Sequence, residues 1–234
     1  MRRLSEKIIV VAGAAGNVGQ GIVRTFLQEN ATVIAPSRSK EKLAELKDYC
    51  SDLGTGKLIT LRGNLGDEQA AVELTDSIKA YYSNVDAVVA SLGGWWQGED
   101  MLNIDVSIWK RVMIDNLMSH ILTIKNLVPL IKPKGFYFHL NGYGAETVIQ
   151  GAAPVTMTAA AQKMMALTLA EELKEQNIKV YELILGIMKT KHRIATAKVN
   201  DNWYSPEEIG EYIANMMIGN NPKMDEVVHK LLIK

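Results

Sequence analysis

Between a short apolar run and the first helical pattern lies Ala12-Gly13-Ala14-Ala15-Gly16-Asn17-Val18-Gly19-Gln20-Gly21. Glycines there allow a tight turn and a close backbone approach, so that amides at the start of the next helix can hold a pyrophosphate. Such loops also join strands to helices with nothing bound. This one lies where a first strand meets a first helix, which favours a dinucleotide site with Gly13, Gly16, Asn17, Val18 and Gly19 as its phosphate contacts. The end of the second strand sets the cofactor. An acid there would hydrogen-bond the ribose of NAD, and an arginine would accept the 2′-phosphate of NADP. Ala35-Pro36-Ser37-Arg38-Ser39 has no acid and offers Arg38 between two hydroxyls, so Ser37 and Arg38 point to NADP. The competing reading leaves Arg38 and Lys40 as solvated residues at a helix start.

A second group of polar residues, His139, Asn141, Tyr143 and Glu146, follows the fifth apolar run. Doubly wound sheets place their ligand crevice at this carboxyl end. Tyr143 is the candidate proton donor there, with Lys163 as an electrostatic partner; between Gly142 and Gly144 it could equally pack over the crevice. Trp95, Trp96 and Gln97 follow the fourth run, where adjacent tryptophans would stack on a flat ligand or meet another subunit. Lys191, His192 and Arg193 form a basic run that faces an anionic substrate or only solvent. The four histidines, His120, His139, His192 and His229, fall in separate elements without paired-ligand spacing, so no metal site is expected.

What positions these residues is an alternation of short β-rich runs and longer helical ones, the pattern of βαβ units and a parallel sheet. Runs at 7–12, 32–35, 57–61, 86–90, 135–140 and 179–185 predict strands. Stretches at 19–29, 40–53, 67–82, 106–131, 158–176 and 206–217 predict helices. Unbroken apolar strands such as Ile8-Ile9-Val10-Val11 suit a sheet covered on both faces, so the expected fold is a Rossmann-type doubly wound α/β sheet. Ser205-Pro206-Glu207-Glu208 supplies an N-cap, a first-turn proline and acids at the positive end of the helix dipole. Residues 225–234 read as a last strand, with or without a frayed tail.

At 234 residues the chain suits one domain, and no linker, repeat or low-complexity tract divides it. Its 26 lysines and arginines balance 26 aspartates and glutamates, with no one-sign block to suggest nucleic acid or a membrane surface. No stretch approaches the ~20 apolar residues of a bilayer span. Arg2, Arg3 and the apolar run after them resemble a signal peptide only superficially, because the run is short and leads into the glycine loop. Cys50 is the only cysteine, which excludes an intrachain disulfide and fits a reducing, cytoplasmic setting.

Taken in order, these landmarks resemble the short-chain dehydrogenase/reductase family along nearly the whole chain. That family carries Thr-Gly-x-x-x-Gly-x-Gly in its first loop; here Gly13 and Gly19 match, Ala12 replaces the threonine, and the middle glycine comes one place early at Gly16. Gly63-Asn64-Leu65-Gly66-Asp67 is similar to the family's adenine-contacting Asp-Val segment, and Ala90-Ser91-Leu92-Gly93 stands where Asn-Asn-Ala-Gly is usual. Trp109 to Leu117 resembles the helix that bears the family's catalytic asparagine, here Asn116. Leu185-Gly186-Ile187-Met188-Lys189-Thr190 resembles the Pro-Gly-x-x-x-Thr turn at the nicotinamide, and Ser205 to Ile209 a Pro-Glu-Glu-Ile helix start.

The resemblance implies one NAD(P)-binding domain over 1–234, with cofactor contacts at Asn64, Leu65, Gly93 and Thr190. It implies hydride transfer between NADP(H) and a small carbonyl or alcohol, in helix-mediated homodimers or homotetramers. Methionines at Met157, Met164, Met165, Met216 and Met217 read as flexible packing on helices, in the core or at such a subunit interface.

The family's Tyr-x-x-x-Lys pair is where the sequence departs. Its two residues share a helix face so that the lysine lowers the tyrosine's pKa. Aligning Leu169-Ala170-Glu171-Glu172-Leu173 with the family's Leu-Ala-x-Glu-Leu puts Val155 and Ala159 at those positions. A gapped alternative brings Lys163 to the lysine position but puts Ala159 at the tyrosine, and the family's Ser-Ser reads Asn141-Gly142. Two readings follow: an NADP-dependent oxidoreductase using Tyr143, Lys163 and Asn116, or a noncatalytic relative that binds a nucleotide or a protein.

Overall fold

The computed structural model describes residues 2–234. Its principal elements are β1 (Ile8–Ala12), α1 (Gly19–Gln28), β2 (Thr32–Ser37), α2 (Lys40–Tyr49), β3 (Lys57–Arg62), α3 (Glu68–Lys79), β4 (Val85–Ala90), α4 (Val106–Val112), α5 (Ser119–Leu127), β5 (Ile131–Gly142), α6 (Ala153–Glu172), β6 (Lys179–Leu185), α7 (Lys191–Ala195), α8 (Pro206–Met217) and β7 (Val228–Leu231). Seven parallel strands pair in the order β3-β2-β1-β4-β5-β6-β7. The order reverses between β1 and β4, so the loops after those strands diverge and leave a crevice at the carboxyl ends. No helix among the described residues is long and apolar enough to cross a membrane.

Both faces of the sheet are buried, and successive strand residues serve opposite layers. Ile9, Val11 and Val89 pack with Ile22 and Phe26 of α1 and Ile209 and Ile213 of α8. Val10, Ala12 and Val88 pack with Leu74 and Ile78 of α3 and Leu122 and Leu127 of α5. Ser205 closes a full capping box on α8 with Glu208, as its sequence predicts. The terminal segment resolves into a strand, β7, paired with β6.

Two long helical stretches differ from the sequence expectation. The segment 106–131 divides into α4, a π-helical stretch at Met113–Met118, α5 and a 3-10 turn at Val128–Leu130, and Ile131 already belongs to β5. Pro129 in that turn has no amide to continue the α ladder. Helix α6 begins at Ala153, five residues before the predicted start, because Pro154 sits in its first turn, where no amide is needed.

One polar inclusion interrupts the core, between β5, β6, α5 and α6. His139 and Glu182 are direct register partners, both fully buried, with Nε2 and Oε2 4.0 Å apart. Asn141 Nδ2 donates to Glu182 Oε1 at 2.8 Å and to the Ala159 carbonyl at 2.9 Å. His139 Nε2 lies 3.2 Å from Gln162 Oε1, and the His120 ring packs on His139 with centroids 4.3 Å apart. Glu182 Oε2 and both nitrogens of His120 have no hydrogen-bond partner among the described residues. Burial pushes the Glu182 carboxyl up to about 7, against the hydrogen bond from Asn141. It pushes His139 down to about 4 and His120 well below the usual histidine range.

Two outcomes are expected. A Cβ added at Gly21 of α1 would lie 2.4 Å from Pro206 Cβ of α8, so Gly21→Ala should lower stability by roughly 1–3 kcal/mol, read from the urea midpoint. An unchanged midpoint would mean that α8 yields freely. The Glu182 carboxyl, ordinarily near 4.5 and here about 7, keeps a proton that the unfolded chain loses, so stability falls as pH rises between those values. His139 and His120, held neutral, act oppositely and cost stability as pH falls below 6.5. Glu182→Gln should therefore flatten the fall in melting temperature toward neutral pH, worth roughly 3 kcal/mol at most, and leave the acid-side fall in place. An unaltered profile would place the titration elsewhere.

Candidate active site

The glycine loop is shaped by a close approach. Gly13 has φ +82°, and a Cβ there would lie 2.0 Å from the carbonyl oxygen of Ser91, which itself extends the β1–β4 ladder by donating to Ala12 at 2.9 Å. No other residue type fits. Asn17 is exposed and has an ordinary negative φ, so the family's glycine at this point is not needed for the backbone path.

Helix α1 then starts with no side-chain cap and no acid in its first turn. By contrast, Ser39 caps α2, Asp67 caps α3 and Ser205 caps α8. The amides of Gln20 and Gly21 donate to the Gly16 and Val18 carbonyls, while those of Asn17, Val18 and Gly19 have no partner among the described residues and, with the positive dipole end of α1, are suited to an anion.

The crevice has two connected halves that share Gly16, Ser91, Leu92, Gly93 and Gly94. The first, about 380 Å³, is bounded by Ser37, Arg38, Ser39 and Lys42 after β2, Asn64 and Leu65 after β3, and Asp115. Arg38 is largely exposed, and its Nη1 meets Asp115 Oδ1 at 3.2 Å. Asn64 Oδ1 accepts from the Gly66 amide at 2.9 Å, which shapes the turn after β3.

The second half, about 650 Å³, is bounded by Asn17, Val18, Trp95, Asn116, Tyr143, Val155, Ala159, Gln162, Met188, Thr190 and Arg193, among others. The π-helical stretch turns Asn116 inward, where its Oδ1 accepts from the Gly94 amide at 2.8 Å and its Nδ2 donates to the Gly94 carbonyl at 2.9 Å. Asn116 thus holds the loop after β4, including Gly93 at φ +98°. Thr190 caps α7, its Oγ1 accepting from the Arg193 amide at 3.4 Å.

Most residues singled out from sequence converge on this crevice. The expected cofactor contacts line one or other of its halves, as do Asn116 and Tyr143, except Gly19, which is buried against the backbone of Gly13 and Ala14. Lys163 does not. Its Nζ sits 2.6 Å from Glu146 Oε1, while Lys230 holds the other carboxylate oxygen at 2.6 Å. These lysines, Lys163 first, keep the Glu146 carboxyl below its usual range. On α6 the crevice-lining residues are Val155, Ala159 and Gln162, spaced so as to share one helix face. Gln162, Glu182 and Asp115 escaped the sequence reading, although a lone acid in the apolar run Val180-Tyr181-Glu182-Leu183-Ile184-Leu185 was a visible signal.

A family model described as enoyl-(acyl carrier protein) reductase matches residues 13–231. Among curated relatives, an uncharacterized oxidoreductase of Bacillus subtilis, YvrD, is 25% identical over 187 residues, 79% of this chain and 69% of that protein. Dehydrogenase/reductase SDR family member 11 of Homo sapiens is 22% identical over 200 residues, covering 82% and 76%. Among solved structures, L-sorbose reductase from Gluconobacter frateurii, in complex with NADPH and L-sorbose, superposes with a TM-score of 0.85 at 19% identity, over 99% of this chain and 97% of that one. The Pseudomonas aeruginosa RhlG/NADP complex gives 0.85 at 20% identity, over 98% and 96%. At these identities the superpositions speak for the fold. The family-model match runs from Gly13 in the phosphate loop to Leu231 at the end of β7, and by it the chain belongs to the short-chain dehydrogenase/reductase family of oxidoreductases.

Proposed function

We propose that this chain is an NADP-dependent oxidoreductase acting on a small carbonyl or alcohol, with Tyr143 in place of the family's usual proton donor. The observation that carries this reading is the uncapped, acid-free start of α1 beside a glycine that tolerates no Cβ, continuous with a cavity edged by Arg38. Those features fit a dinucleotide: α1 amides for the pyrophosphate, Asn64 and Leu65 for the adenine, Ser37 and Arg38 for the 2′-phosphate, and Thr190 at the nicotinamide end. Two structural neighbours described as NADPH or NADP complexes support the choice. When bound, the cofactor supplies a hydride. Asn116 holds the loop through Gly94, and Tyr143 lines the same half of the crevice with its hydroxyl available to a substrate oxygen. Lys163 is paired with Glu146 and is not among the residues that line the crevice.

The second reading is a noncatalytic, nucleotide-binding relative, favoured by Val155 and Ala159, which cannot move a proton, on the crevice wall. We further propose a homodimer or homotetramer through the α4–α6 side, where Met113, Met118, Met157 and Met164 are exposed. Light scattering at micromolar concentration should give a mass above 25.9 kDa, and a monomer would dismiss it.

Calorimetric titration should show NADPH binding more tightly than NADH, and Arg38→Ala should weaken NADPH roughly ten- to hundredfold while sparing NADH. No binding of either cofactor would reject the oxidoreductase reading. In a carbonyl-reduction assay, Tyr143→Phe should lower turnover roughly 10²–10⁴-fold; unchanged turnover would remove its role. Reductase activity gained by Val155→Tyr with Ala159→Lys, from an inactive parent that binds NADPH, would favour the noncatalytic reading.

A further inference from the structure

Several polar side chains of the crevice's nicotinamide half are spent inside the protein, while Asn17, Ser91, Tyr143, His192 and Arg193 line it elsewhere. Asn116 is committed at both ends to Gly94. Asn141 gives its amide hydrogens to Glu182 and the Ala159 carbonyl, and its Oδ1 accepts from the Gly142 amide at 2.8 Å. Thr190 caps α7. On the α6 wall Val155 and Ala159 present only hydrocarbon, and Gln162, one turn beyond Ala159, is the remaining member of that lining face.

Gln162 is held in a defined way. It is 5% exposed, and its Oε1 lies 3.2 Å from His139 Nε2. Because burial keeps His139 neutral, the ring carries one N–H, and the contact with Gln162 Oε1 places it on Nε2. The Tyr137 hydroxyl, 3.5 Å from Nδ1, stands on the acceptor side of the same ring. With its oxygen so engaged, the amide nitrogen of Gln162 is the one polar side-chain group that the α6 wall offers to the crevice. It is not among the buried polar atoms that lack partners. A ligand reaching this half with ribose hydroxyls must find a donor for their oxygens or lose the water it surrenders.

We propose that Gln162, braced by His139, hydrogen-bonds the hydroxyls of the nicotinamide-side ribose and so supplies the anchor that Ala159 cannot. The proposal rests on the dinucleotide reading above and adds a residue to it.

Three probes separate the possibilities in calorimetric titrations of the full chain: NADPH, 2′-phospho-ADP-ribose, which has the second ribose without the base, and adenosine 2′,5′-bisphosphate, which has neither. Gln162→Leu should weaken NADPH and 2′-phospho-ADP-ribose alike, by about tenfold, and leave adenosine 2′,5′-bisphosphate unchanged. The last probe also reports that the variant is folded. Weakening of NADPH alone would move the contact to the base and overturn the proposal. Equal weakening of all three, or of none, would overturn it as well. If no probe binds the unaltered protein, the dinucleotide reading fails and the proposal with it.

Discussion

The backbone of the loop after β1 presses against that of the loop after β4, with room for no atom between Gly13 and the Ser91 carbonyl. Everything at the carboxyl end of the sheet depends on that approach. It is made possible by β1 and β4 being neighbours, with four residues of each in register. Because the chain leaves β1 toward α1 on one face and leaves β4 toward α4 and α5 on the other, the two loops part immediately after they touch. The space between them is the crevice. A side chain at position 13 would push the loops apart and move the start of α1 from the cavity it faces.

Around that fixed point the protein spends its polar groups unevenly. Helices α2, α3 and α8 carry side-chain caps, whereas α1, α5 and α6 carry none, and at the start of α1 the amides of Asn17, Val18 and Gly19 have no partner among the described residues. In the half of the crevice bounded by α6 the pattern is reversed. Asn116 and Asn141 turn their amides back into the protein, one to hold Gly94, the other to hold Glu182. The π-helical stretch that bears Asn116 serves this end, since an extra residue in the turn brings a side chain inward that a regular helix would carry past the loop.

The buried group of His139, Glu182, Gln162 and His120 lies directly behind the crevice wall. A carboxyl and two imidazoles in a dry interior stay near neutrality, because charge there has no solvent to face. His139 bonded to Gln162, and Asn141 bonded to Glu182 and the Ala159 carbonyl, join β5, β6 and α6 at the level where Val155 and Ala159 line the cavity, while His120 only packs on the His139 ring. The crevice thus has a hydrocarbon wall at Val155 and Ala159 with ionisable groups one layer deeper.

By itself the sequence determined the layer architecture, because apolar runs with a strand period alternate with helical ones and only a sheet covered on both faces buries both. It also determined the glycine loop after β1 and the start of α8, since glycine spacing and Ser205-Pro206 set backbone geometry and a local capping box. Helix ends were less legible. The π-helical break within 106–131 goes with Asn116 meeting a loop distant in sequence, while the early start of α6 goes with Pro154 in its first turn. Only the tertiary structure decided which polar residues share the crevice. Tyr143 and Lys163 are close in sequence, yet the crevice takes the first and Glu146 the second. Gln162, His139 and Glu182 come from three elements and meet because β5 and β6 pair in one register beneath α6, a contact set by long-range strand pairing that no local pattern encodes.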